Sequence, residues 1–153
     1  MKNTKTIFVM KFLLSAILLF LIGFTGCVKR FPRLKTEPDI KGLEGIWVND
    51  KTVSTQEIGG NFTIKLLPNN TAQVINLPVA TPSKMSHHIL FIDGESKWEI
   101  YKRSDSWDML LNKPNSNEWL RFYLERDSND IVLTYYINPN WPNGIVFRKQ
   151  QEN

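Results

Sequence analysis

Cysteine is all but missing from this 153-residue chain: Cys27 stands alone, so a monomer has no internal disulfide. Histidine is nearly as scarce. His87 and His88 are the only imidazoles, and neighbours on an extended chain point to opposite faces, which keeps them from chelating one metal or sharing a base–nucleophile role. A zinc site would have to rest on these two and on carboxylates that lack ligand spacing. Neither a Gly-x-Ser-x-Gly elbow nor a phosphate-cradling glycine loop occurs. Asp93, Glu95 and Glu99 flank one segment and Asp127 and Asp130 bracket a turn, but glycosidase-like chemistry needs two carboxylates fixed across a cleft. The expectation is a protein without catalytic groups, cofactor or metal.

A charge surplus is also missing where it would matter. The formal net charge is +4, yet Lys2, Lys5 and Lys11 sit in the first segment, and Lys29, Arg30, Arg33 and Lys35 crowd together just after Cys27. From Lys41 onward there are 12 Lys and Arg against 13 Asp and Glu, a balance of −1. A nearly neutral body argues against nucleic acid as a partner.

What is present begins with a basic start to Lys11 and an uncharged apolar run from Phe12 to Phe24. Such a run has the length of a signal-peptide core and is short for a membrane span, which takes roughly 20 residues. It ends Phe24, Thr25, Gly26, Cys27. This order resembles the lipobox of bacterial lipoproteins, in which small residues fit the cleavage site and the thiol accepts a diacylglyceryl group. The resemblance implies cleavage after Gly26, lipid on Cys27 and anchorage to a membrane. Val28, where a retention signal would carry Asp, implies outer-membrane delivery in a Gram-negative cell. Burial of acyl chains contributes about 0.8 kcal/mol per CH₂, so two or three chains hold a small protein durably. Three units are therefore expected: residues 1–26 a signal peptide, 27–41 the lipidated cysteine and a flexible tether containing Pro32 and Pro38, and 42–150 a folded domain.

That domain reads as all-β. Short apolar runs recur every 8 to 12 residues or so between turn-forming clusters. Strands are expected at 43–49, 61–67, 72–77, 97–101, 107–111, 118–126, 131–135 and 145–147. Phe62, Ile64 and Leu66 share one face; so do Trp98 and Ile100, Trp107, Met109 and Leu111, Leu120, Phe122 and Leu124, and Ile131, Leu133 and Tyr135. No sustained helical period is present, and Gly59 and Gly60 limit the capping-box pattern at Ser54 to Glu57 to a turn. About eight antiparallel strands in a meander can close into a small barrel, or a partly open one, and so remove exposed edges.

Gly45 and Trp47, in Leu43 to Trp47, resemble the Gly-x-Trp opening strand of lipocalins and related calycin barrels. The resemblance implies that the tryptophan packs across the barrel floor against a basic residue of the last strand, a position that Arg148 would fill. It also implies a small apolar ligand as one possible cargo. The Thr-Asp-Tyr motif of typical lipocalins is absent, and the bulk of Phe62, Trp98, Trp107, Phe122 and Phe147 favours a filled interior over a large cavity.

On the opposite face of the later strands fall Tyr101, Leu110, Trp119, Tyr123, Val132 and Tyr136, interleaved with Lys97, Glu99, Asp108, Arg121 and Thr134. Aromatics with a polar handle favour interfaces. Tyr101, Trp119, Tyr123 and Tyr136 form a candidate patch for an envelope protein or another envelope component, unless a loop such as apolar Ile89 to Ile92 covers it. The functional expectation is a membrane-anchored interaction or accessory module of the cell envelope; a lipocalin-like carrier and a periplasmic inhibitor or immunity-type protein are the alternatives.

Overall fold

The computed structural model describes residues 30–52, 58–80, 89–137 and 144–151. The leader and Cys27, the capping-box pattern at 54–57, and His87 and His88 lie outside them. A four-residue helix, α1 (Ile40–Leu43), leads into β1 (Gly45–Asn49), β2 (Thr63–Leu67), β3 (Thr71–Ala80) and β4 (Ile89–Arg103). The chain continues through β5 (Ser106–Asn112), β6 (Trp119–Asp127), β7 (Asp130–Tyr135) and β8 (Ile145–Lys149). Each strand pairs antiparallel with the next, and β8 returns to β1, with Trp47 opposite Lys149 and Asn49 opposite Phe147. The result is a closed eight-stranded meander barrel, of the size found in lipocalins. Closure leaves every strand with two neighbours.

Alternation in the sequence decides which side chains enter. Ile64 and Leu66 of β2, Met109 and Leu111 of β5, Phe122 and Leu124 of β6, and Leu133 and Tyr135 of β7 are buried in one cluster. Trp47, Phe62, Trp98 and Phe147 join them at 0–2 % exposure. Phe122 stacks on Tyr135 with centroids 4.9 Å apart and meets Phe147 edge-on at 5.9 Å. Both buried indoles have partners: Trp98 donates to the Leu67 carbonyl at 3.2 Å and Trp47 to that of Leu43 at 2.8 Å.

The tight turns use residues that tolerate left-handed backbone. Asn69 and Asn70 (φ 62° and 59°) join β2 to β3, and Ser128 (φ 59°) joins β6 to β7.

Three expectations about elements change. β1 starts at Gly45, because Leu43 belongs to α1, whose N-cap Asp39 accepts from the Lys41 amide at 3.2 Å. Ile89 to Ile92 is no covering loop; it is the first part of β4 and pairs with Leu77 to Ala80 of β3. A bulge between Val74 and Leu77 makes that longer pairing possible. Asn76 supplies the extra residue at φ 56°, its amide held by the Asp93 carboxylate at 2.6 Å. One inserted residue restarts the alternation, so that Ala72 and Val74 are followed inward by Leu77 and Val79, all at 0–2 % exposure.

The third change concerns residues 27–41. The described part is docked, not a free leash. Phe31 is buried against Val132 and Val146 on the outside of the barrel, and Leu34 is buried with the interior cluster.

Candidate functional site

Leu34 is wedged into the wall where β5 and β6 diverge. Its amide donates to Leu124 O at 2.8 Å and its carbonyl accepts from the Trp107 amide at 3.1 Å. Pro32 O accepts from the Arg126 amide at 2.9 Å, and Arg33 forms an antiparallel bridge to Glu125. Residues 31–34 therefore act as a strand fragment. Proline suits this edge position, since its missing N–H faces no ladder partner. Burying Phe31 and Leu34 contributes about 2 kcal/mol each.

Arg33 is the centre of the arrangement. Strand register aligns Tyr101, Asp108, Tyr123, Thr134 and Val146 in one row across β4 to β8. Glu125, Val132 and Arg148 form the next. The Arg33 guanidinium lies over the Tyr123 ring, 3.4 Å from its centroid. It reaches Asp108 Oδ1 at 3.1 Å and Glu125 Oε1 at 3.3 Å. Thr134 Oγ1 donates to the other Glu125 oxygen at 2.6 Å. Asp108 is fully buried; its Oδ2 has no hydrogen bond and faces Arg121 Nε at 3.6 Å. Two carboxylates on the outer side of a barrel are thus sheltered by a segment from the other end of the chain. Burial raises the Glu125 carboxyl, opposed by the Thr134 hydrogen bond and the Arg33 charge. Burial likewise raises the Tyr136 hydroxyl, with Glu125 adding to the shift.

The structure divides the expected aromatic patch. Tyr123 and Tyr136 meet edge-on at 5.4 Å and are half-buried beside the clasp, while Tyr101 and Trp119 remain 50 % and 46 % exposed. Val132, Asp108 and Thr134, on the face opposite the core, are buried, so that part of the face is covered. The cover is Phe31 to Leu34. Two sequence signals could have found it: Phe31 and Leu34 are apolar residues in a basic stretch, and Asp108 and Glu125 on an outer face require a cation.

The basic residue opposite Trp47 is Lys149, and not Arg148 as the floor-stacking expectation had it. Arg148 follows the inward Phe147, so it points outward, where it holds Asp50 at 2.6 Å and Asp127 at 2.5 Å and lies 5.9 Å from the Phe31 ring. At this end Lys149 Nζ donates to Gly42 O at 2.9 Å. Gly45 (φ 132°) leaves room for it: a Cβ there would sit 2.7 Å from Lys149 Cε. An open depression of about 1170 Å³ lies beside them, lined by Lys41, Lys65, Arg148 and Lys149 but also by Glu44 and Asp130. Its mixed charge and wide opening select no ligand chemistry.

Among the described residues no group of three or more His, Cys, Asp or Glu could hold a metal ion. No protein-family model, curated protein or solved structure matches the chain.

Proposed function

We propose that the chain is a cell-envelope lipoprotein whose barrel works as a non-enzymatic interaction module. In this reading residues 1–26 direct export and are removed, Cys27 carries the acyl chains, and Val28 permits passage to the outer membrane. Recognition then belongs to the outer surface of the barrel, and a blocked partner, as for an inhibitor or immunity protein, is one form of it.

The observation that supports a module over a carrier is the occupied interior. Trp47, Phe62, Trp98, Phe122 and Phe147 are all at 0–2 % exposure inside the strands, where a lipocalin-like carrier would keep room for cargo. The sequence of the first 27 residues supports the anchor. Native mass spectrometry of the protein extracted from membranes, with crosslinking in whole cells, tests the reading. The expected result is an acylated protein with no small molecule bound in the barrel and a reproducible crosslinked envelope component. A stoichiometric small apolar molecule that survives loss of the detergent would replace the module with a carrier.

A further inference from the structure

We infer that the β5–β8 outer wall of the barrel lies against the headgroup layer of the bilayer; this rests on Cys27 being the lipid anchor. Extended over residues 28–41, a free tether would let the barrel stand some 50 Å away at about 3.5 Å per residue. The docked segment removes that freedom. Phe31 is fixed in the socket of Val132 and Val146, and only four residue steps separate it from Cys27, a reach of about 14 Å. The wall carrying the segment is therefore held beside the membrane. The β2–β3 wall lies on the far side of the closed sheet, about 10 Å across the barrel, and is the more distant when the near wall faces the bilayer.

The composition of the near wall fits that position. Its two buried acids, Asp108 and Glu125, are matched by Arg33, and the partly buried Asp50 and Asp127 by Arg148. Arg30, Lys35, Arg121 and Arg126 remain exposed around the docked segment, and anionic headgroups attract such side chains. Trp119 on β6 and Tyr101 on β4 beside this wall, the exposed half of the aromatic patch, are residue types that settle at the membrane–water interface. The segment thus converts a leash into a mount, and the partner of the aromatic patch is the lipid surface.

The test uses the full lipidated protein in phosphatidylethanolamine–phosphatidylglycerol vesicles containing a lipid with a paramagnetic nickel headgroup. A nitroxide is placed at Trp119→Cys on the near wall or at Gln73→Cys on β3. Thioether-linked Cys27 does not compete for the label. Relaxation by the headgroup metal should be several-fold stronger at position 119 than at 73. Inserting twenty Gly and Ser residues between Lys29 and Arg30 leaves the docked segment intact, and should erase most of that difference. Equal relaxation at both positions in the parent protein overturns the mount. Protein that fails to stay with the vesicles overturns the lipid anchor itself, and the mount with it.

Discussion

Arg33 Nη1 donates to Oδ1 of Asp108 at 3.1 Å across a sequence separation of 75 residues, and Asp108 is fully buried. Removing the cation leaves Asp108 with only the longer Arg121 contact at 3.6 Å and Glu125 with only the Thr134 hydroxyl. Breaking a buried pair from one side costs more than the pair contributes, roughly 3 kcal/mol. Arg33→Ala should lower the stability of the barrel by about that amount in urea unfolding. Arg33→Lys should recover only part of it, since an ammonium does not span both acids while stacking on Tyr123. A midpoint unchanged in both variants would mean the segment is not docked in solution.

Phe31→Ala probes the same segment without touching charge. Loss of its burial should cost about 2 kcal/mol. In hydrogen exchange of the parent, the amides of Leu34, Trp107 and Arg126 should exchange slowly, because each is bonded across the segment. In the variant these three should speed up before the amides of β2 and β3.

Glu125 gives the clasp a pH dependence of defined sign. Its carboxyl is raised in the folded state, mainly by burial. A raised acid takes up its proton more readily when folded, so its contribution favours the fold below the ordinary value of 4.5 and declines as pH rises through the folded value. Glu125→Gln has no proton to exchange and lacks this dependence. The stability of the parent relative to the variant should therefore fall as pH is raised from about 4 into the neutral range; a difference flat in pH would remove the buried carboxylate from the account.

Asp50 carries the opposite sign. Burial pulls its carboxyl up, but hydrogen bonds from Thr52 and Arg148 outweigh it and hold the group below 3.8. Its stabilisation is complete above that value and is lost as pH falls through the folded value. Asp50→Asn should be less stable than the parent at pH 7, and acid titration should narrow the gap. The loss at neutral pH should be modest, about 1 kcal/mol, since Arg148 keeps Asp127.

The barrel was legible because its inward positions follow period 2 with few interruptions. Ile64 with Leu66, and Phe122 with Leu124, announce their strands through local alternation alone. The bulge at Asn76 was hidden, because one inserted residue breaks the alternation that the reading relies on. With the phase lost there, Ile89 to Ile92 looked like a loop in place of the start of a 15-residue strand. Arg148 was misassigned by one position of register: beside the inward Phe147 it must face out, and Lys149 is the residue opposite Trp47. The clasp was missed for a different reason. Asp108, Tyr123 and Glu125 stand together on the β5–β6 hairpin, but Arg33 is 75 residues from Asp108, and no local pattern shows that its segment docks there.

The floor offers a separate check. Trp47→Phe keeps the ring but leaves the Leu43 carbonyl without its donor, which should cost about 1–2 kcal/mol. Thermal unfolding would register the shift, and α1 should become more open to proteolysis than in the parent.

Membrane attachment through Cys27 underlies the function proposed for this barrel, and the intact mass of the protein purified from cell membranes reads it directly. The account predicts a chain that begins at Cys27 and carries the added mass of a diacylglyceryl group, with or without a further amide-linked acyl chain. A chain that retains residues 1–26, or one that begins at Cys27 with a free thiol, would contradict it.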